Sequence, residues 1–448
     1  MYSVITDPKS NIPYPVTSRV GLQILRKFMT QLGGEYVGKG TYKCVFSPPI
    51  KCLGESKRFG DKRSSEYISA ITTYGETKQA KHNESLRAMF DPKHKFTLKL
   101  LKSCKVGALD AKTESATAFN KCSDPENGNF MKNYKYPFSR YGGDSVQDLR
   151  LLITRHGGID LSHFSQELAQ KTPKELKGII GALYFNFKSI LWGLTQFQKY
   201  KYIHCDLKPA NLLYNPTTQT YYIIDFGLMV SFKESFKRQY FISHTINVTD
   251  TSYYYRYWPI DAGVAAMYLN RGDSSWKLKR VPLISEGPSP YDDYRNPENI
   301  KKLYYDNMAG REKFIMNAKN KFDTYSMGMT MKEYFFSTDF TEALEKLSRY
   351  CKKRSSIVKE VERLQVPLLE LIHDMLELDP IKRLSCKTAS KRYNALVSAL
   401  NPKNARDALD SVKRPKKACK QFRKSKSPMC ENQAGCLWKK NIGCIDLP

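Results

Sequence analysis

The chain is short of acid. Its 448 residues carry 44 Asp and Glu against 73 Lys and Arg, a formal net charge of +29. That imbalance favours solubility and attraction to polyanions, without naming a fold. Long apolar runs are missing as well. No stretch reaches about 18 uninterrupted apolar residues, so no membrane-spanning helix is expected. The most apolar long window, 178–194, is interrupted by Asn186, Lys188 and Ser189 and reads as a buried helix. The first residues show no basic segment leading into an apolar one, so no secretory leader is expected. There is no internal repeat and no heptad array. What is abundant is aromatic: 29 tyrosines, and 12% aromatic residues overall, exclude a mainly disordered chain. At roughly 100–200 residues per domain, the length allows two or three domains.

The eleven cysteines divide into seven scattered through the body and four (Cys419, Cys430, Cys436, Cys444) in the last 30 residues. Scattered thiols without a leader suggest a reducing, intracellular setting. The terminal four lack the CxxC pairs typical of zinc sites. Disulfides, zinc and plain thiols all stay open there. Residues 401–448 carry a net +8. The run from Lys413 to Lys426 reads as a nuclear address, a nucleic-acid patch or a solvated tail.

Periodicity places a helix after Ser18, with Leu25, Phe28, Met29 and Leu32 on one face. Two strands follow across 35–46, around Gly38-Lys39-Gly40. Residues 47–95 read as a polar insert of weak periodicity, and 96–101 as a short strand. A helix is expected across 108–121, a buried strand at 149–154, a long helix at 174–200, and strands at 212–214 and 221–224. Residues 262–320 are charged and broken by prolines. Helices are expected from Asp323 and across 367–378.

The chemistry is concentrated in His204-Cys205-Asp206-Leu207-Lys208-Pro209-Ala210-Asn211. An Asp five residues before an Asn, after a long helix and before a short strand, is the arrangement of a phosphoryl-transfer loop. Nineteen residues after Asp206, directly after the strand YYII, stands Asp225-Phe226-Gly227. Together these motifs resemble the eukaryotic-type Ser/Thr protein kinases. The activation segment, the GGIDL stretch and the divergent halves look most like kinases of large cytoplasmic DNA viruses, iridovirus-like ones in particular.

The resemblance implies an α+β, bilobal protein kinase fold over about 31–400, with a small β-rich lobe and a larger helical one. The divisions would be an N-terminal extension (1–30), an N-lobe (31–156, insert 47–95), a C-lobe (157–400, insert 262–320) and a basic Cys-containing tail (401–448). It implies ATP and Mg²⁺ as cofactors, with Mn²⁺ as an alternative metal. Asp206 would accept the proton of the attacking hydroxyl, with Lys208 near the moving phosphate and Asn211 and Asp225 holding the metal. Gly38, Lys39 and Gly40 match the first part of a Gly-rich loop, with Lys43 where the third glycine usually stands. Phe96-Thr97-Leu98-Lys99 resembles the VAIK strand, so Lys99 would pair with the α/β-phosphates and Glu114 would pair with Lys99. Thr154 would be the gatekeeper, and Arg155 and His156 part of the hinge. Val45, Thr97 and Leu213 would sandwich the adenine.

Asp323 matches the acid that anchors the catalytic-loop backbone, and Arg383 an arginine that would pair with Asp261. Cys205 stands where the family has an Arg that binds activation-loop phosphate, which implies activity without that phosphorylation. The implied function is phosphoryl transfer to Ser or Thr of protein substrates, in host cytoplasm or associated with a virion. The basic tail is a candidate polyanion or nucleic-acid contact. The rivals are a small-molecule kinase and a catalytically silent kinase-fold scaffold or basic virion protein.

Overall fold

The computed structural model describes residues 4–6, 13–15, 35–40, 43–72, 74–106, 150–236, 256–269, 297–351, 356–400, 436–439 and 443–446. The expected helices after Ser18 and across 108–121 lie outside these residues, and Glu114 with them.

Five antiparallel strands form one sheet: β1 (Glu35–Gly40), β2 (Lys43–Ser47), β3 (Tyr67–Thr72), β4 (Leu100–Lys105) and β5 (Arg150–Arg155). Their order is β1-β2-β3-β5-β4. Alternation along the strands separates two faces. Cys44, Phe46, Ser69, Ile71, Leu151 and Ile153 are fully buried on one. The chain after β2 covers that face, where Ile50 N–H donates to Ser69 Oγ (2.9 Å). Val45, Ala70, Leu152 and Thr154, on the other, are only half-buried.

The segment 47–95 is therefore not simply an insert. It supplies β3, the middle strand, and helix α1 (Tyr74–Phe90). The buried side of α1 mixes Thr77 and Asn83 with Leu86 and Phe90, which hides its helical period from a hydrophobicity pattern. The expected strand 96–101 begins later, at Leu100. The stretch before it is folded around Asp91, whose carboxylate accepts the N–H groups of Lys95, Phe96 and Thr97 (2.8–3.0 Å).

The helical part follows β5. The short β6 (Ile159–Asp160) leads into α2 (Leu161–Gln170), which Asp160 caps through the N–H groups of Ser162 and His163. Helix α3 (Pro173–Asn186) starts with a capping box between Thr172 and Glu175. The long helix expected at 174–200 is two helices, α3 and α4 (Lys188–Lys199), jointed at Phe187. After it come β7 (Tyr202–Ile203), β8 (Leu212–Asn215), β9 (Thr220–Ile223) and β10 (Val230–Ser231), with β8 paired to both β9 and β6.

Helices α5 (Ile260–Leu269), α6 (Pro297–Asp306), α7 (Arg311–Phe335), α8 (Thr338–Cys351), α9 (Ser356–Met375) and α10 (Cys386–Leu396) complete this part. Asp323 thus lies in the middle of α7 rather than at a helix start. The core is aromatic. Tyr184 stacks on Phe335 (4.7 Å), and Phe187 sits edge-on to Phe335 and Tyr221. Full burial of each such side chain is worth about 1.5–3 kcal/mol. Two buried hydroxyls find carbonyls: Tyr221 donates to Leu183 O (3.0 Å) and Tyr393 to Tyr184 O (2.7 Å).

Sheet and helices meet at Phe96. Its carbonyl accepts Ile223 N–H (2.7 Å), and its ring packs edge-on against Trp192 and Phe197. A Cβ at position 193 of α4 would stand 2.6 Å from that ring, so only glycine permits the approach.

Cys52 and Cys104 form a disulfide between the chain after β2 and the end of β4. Cys44 is disulfide-bonded too, whereas Cys205 and Cys386 are buried thiols. This corrects the expectation of scattered reduced thiols: 52 residues separate Cys52 from Cys104 in sequence, but the bridge between Cys52 and Val106 brings them together. No described helix is long and apolar enough to cross a membrane. In the tail, Cys436–Lys439 pairs with Gly443–Asp446 as a short hairpin.

Candidate active site

Helix α4 and strand β7 deliver the chain into the loop 204–211. Two backbone N–H groups of that loop, from His204 (2.8 Å) and Cys205 (3.3 Å), end on the Asp323 carboxylate of α7. Asp323 thus anchors the loop backbone, as the sequence implied. It is buried, and desolvation pushes its carboxyl up to about 7 despite the two donors. On the far side of the loop, the Trp258 indole donates to the Cys205 carbonyl (2.6 Å). Cys205 itself is fully buried in the left-handed region, at φ 66°.

Asp206, Lys208 and Asn211 are brought together. Asp206 is 8% exposed. Its Oδ1 receives the Lys208 ammonium (3.1 Å), and its Oδ2 receives the Asn211 amide (2.6 Å). The same Asn211 nitrogen also donates to the Asp206 carbonyl (2.8 Å). With its nitrogen committed, Asn211 has its amide oxygen left for a cation.

Asp225 follows β9 at φ 61°, ψ 75°, a left-handed conformation that Asp tolerates better than most side chains. It is exposed, and its Oδ1 accepts Gly227 N–H (3.4 Å). The next residue turns the other way. The buried Phe226 ring lies against His204 (5.1 Å) and Phe197 (5.9 Å), beneath the Arg87 guanidinium of α1 (5.2 Å). Burial pushes the His204 imidazole down to about 4, so it is neutral at pH 7. The exposed Asp225 carboxylate and the Asn211 amide oxygen are hard oxygen donors, of the kind that suits Mg²⁺ or Mn²⁺.

The residues expected around the adenine fall into place only in part. Thr154 is half-buried, and Arg155, which ends β5, is exposed. The His156 carbonyl accepts the Asn215 amide (3.1 Å) and its Nδ1 accepts Gly158 N–H (3.1 Å), while burial lowers its pKa. Gly157 is wedged between Leu98 and Leu213, each under 3 Å from where a Cβ would stand. Val45 is directly opposite Ala70. Thr97 differs from its expected role. It is buried, its hydroxyl donates to Asp91 (3.1 Å), and it bridges Ile223. Gly38, Lys39 and Gly40 form the end of β1, with Gly40 paired to Lys43.

Lys99 requires a correction. The resemblance to VAIK sets it on the strand after β2, but that strand is β3, with the sequence YISAIT and no cation. Lys99 is exposed just before the outermost strand β4. The tetrapeptide match failed because strand order is not local. Glu84 of α1 accepts Leu100 N–H (2.9 Å) and pairs with Arg87 (3.2 Å). Sequence reading missed Arg87, Glu84 and Asp91, because nothing in a polar stretch distinguishes inward-facing charges from solvated ones.

Farther off, Arg383 and Asp261 form the implied ion pair, both side chains fully buried. Arg383 also donates to the Glu377 carbonyl (2.8 Å).

This arrangement defines a kinase-like domain. A family model described as the ABC1 atypical kinase-like domain matches residues 182–252, from within α3 past Asp225-Phe226-Gly227. The chain is similar to that family over this minor part of its length. No curated protein matches it.

Proposed function

We propose that the chain is an ATP- and Mg²⁺-dependent protein kinase that phosphorylates Ser or Thr hydroxyls. The carrying observation is the Asp206–Lys208–Asn211 cluster beside the exposed Asp225. Asp206 is the base that orients the hydroxyl and takes its proton, a role typically worth about 10²–10⁴-fold. Lys208, held on Asp206, stands where the phosphate transfers. Asn211 and Asp225 would hold the metal, which when bound neutralises charge on the transferring phosphate. The sheet and the helical part act as two lobes, with the nucleotide between the Val45/Ala70 face and Leu213. Residues 31–156 and 157–400 are the corresponding divisions, and the basic tail 401–448 serves as a polyanion contact. The viral resemblance favours a virus-encoded enzyme working in host cytoplasm or carried in a particle.

Incubation with labelled ATP, Mg²⁺ and generic protein substrates tests this reading. Wild type should label Ser and Thr, and Asp206→Asn should not while still binding nucleotide. Equal labelling by Asp206→Asn would overturn it. One observation favours a second reading, the silent scaffold: β3 carries no lysine or arginine to meet the phosphates.

A further inference from the structure

We propose that the outer face of α4, with the loop 92–95 beside it, binds single-stranded nucleic acid. The inference does not depend on the kinase reading. Helix α4 buries Ile190, Leu191, Leu194 and Phe197. At about 3.6 residues per turn, Lys188, Trp192, Thr195 and Lys199 fall on the opposite side as one stripe. Two large rings stay open there: Trp192 is 39% exposed, and Tyr200, directly after the helix, is 37% exposed. Lys93 and Lys95 are exposed on the loop that leads into Phe96. The Lys95 ammonium stands over the Trp192 ring, so the loop borders the stripe.

Carboxylates do not offset this charge. On other helices the exposed cations pair with acids one turn away: Lys302 with Asp306 on α6, Arg349 with Glu345 on α8, and Arg363 with Glu360 on α9. Along α4 the ammoniums lie over rings instead: Lys188 over Phe185 (3.3 Å), Lys95 over Trp192 (5.6 Å) and Lys199 over Tyr200 (5.4 Å). Residues 92–99 and 185–205 contain no Asp or Glu. Asp91, at the start of the loop, is buried and accepts the N–H groups of Lys95, Phe96 and Thr97. Helix α10 packs against α4, adds exposed Lys387 and Lys391, and has no acid either.

Trp192 and Tyr200 stand eight residues apart, about 12 Å along the helix. A polyanion that carries flat bases uses both features of the stripe. Base faces stack on the rings while phosphates meet the ammoniums. In a duplex the base faces are already stacked on one another, so only unpaired bases cover Trp192 and Tyr200. An acidic peptide would meet the ammoniums and leave both rings in water. Lys95 and Lys199 swing from ring to phosphate by side-chain rotation alone, since each ammonium sits on a flexible four-carbon stem.

The test uses the full chain. Short labelled oligothymidylate and oligouridylate are titrated by fluorescence anisotropy, with polyphosphate and polyglutamate as competitors that carry charge without rings. Circular dichroism confirms folding of Trp192→Ala, Trp192→Phe, Tyr200→Ala and Lys95→Gln/Lys199→Gln. Stacking of one base is worth about tenfold in affinity. Trp192→Ala and Tyr200→Ala should each lose that much for the oligonucleotides while polyphosphate stays within twofold of wild type. Trp192→Phe should keep most of the affinity. The double lysine variant should lower the slope of log affinity against log salt by about 1.4, roughly 0.7 for each phosphate contact. The basic tail is the same in every variant, so its share cancels. Tighter binding of either oligonucleotide with this ring dependence keeps the inference and names the strand as DNA or RNA. Oligonucleotide affinity within twofold of wild type for both ring variants would overturn it. If Trp192→Ala fails to fold, Tyr200→Ala decides by the same criterion. Polyglutamate bound as tightly as the oligonucleotides, with lysine dependence but no ring dependence, would assign the surface to an acidic protein and overturn it as well.

Discussion

The Arg87 guanidinium lies over the Phe226 ring, 5.2 Å from its centre, so a cation of α1 caps the residue that follows Asp225, the proposed metal ligand. Glu84 holds that arginine and, through Leu100 N–H, ties α1 to β4. The helix is thereby fastened to the sheet by a carboxylate and to the Asp225 turn by a cation. A desolvated cation–π contact is worth about 2 kcal/mol. Arg87→Ala should lower stability by roughly that amount and weaken the Mg²⁺ dependence of nucleotide binding. Arg87→Met should restore stability more than it restores the metal response. Chemical denaturation and Mg²⁺ titrations measure the two.

The Asp261–Arg383 pair joins α5 to the segment before α10, with no water access to either side chain. Burial pushes the Asp261 carboxyl upward, against the pull of Arg383. Removing one partner strands the other. Asp261→Ala should cost about 3–5 kcal/mol, whereas Asp261→Leu/Arg383→Met should cost clearly less. Urea midpoints of the single and double variants decide this.

Asp323 gives a pH signature. Its folded value of about 7 lies above the ordinary 3.8, so between those limits the folded state holds a proton that the unfolded state has released. Its contribution to stability therefore falls as pH rises through that window and is flat above it. His204, depressed to about 4, acts in the opposite sense, losing stability as pH falls, but it is common to wild type and Asp323→Asn. The thermal midpoint of wild type minus that of Asp323→Asn should shrink from pH 4 to pH 7 and then level off.

Cys205 cannot bind an activation-loop phosphate, and its carbonyl is already held by Trp258. Phosphatase-treated enzyme should keep most of its rate. A fall of about 100-fold, restored by rephosphorylation, would assign the missing role to another cation.

The Cys52–Cys104 bond closes a span of 52 residues around β3 and α1. Loop entropy then gives about 4 kcal/mol. Cys52→Ser should lose most of that in denaturant titrations without reductant, and reductant should lower wild type by at least as much, since it opens the Cys44 disulfide as well.

The sequence was most informative where chemistry forces short spacing. Asp206, Asn211 and Asp225 are set by a loop and a turn, and their motifs survive translation into geometry. Asp323, Asp261 and Arg383 were legible for a related reason, since each falls in a short motif that the resembled family carries. The sheet was not. β3 buries Ser69 and Thr72, and α1 buries Thr77 and Asn83, so neither shows a clean hydrophobic period. The joint at Phe187 was invisible because both helices keep the same apolar rhythm through it. Lys99 drew the VAIK assignment because four residues matched, while Asp91, by gathering the N–H groups before β4, gives that stretch a different place.

The hydrogen bond from Tyr393 to the Tyr184 carbonyl spans 209 residues. Helix α3 is made early, but α10, which supplies this donor, is made near the end. At roughly 5–20 residues per second, a ribosome takes about 10–40 s to cover that distance. Throughout that interval the Tyr184 carbonyl waits for its donor, although Phe335 already stacks on the Tyr184 ring once α7 is made. This late contact of α3 therefore forms on a timescale set by translation speed rather than by any folding barrier.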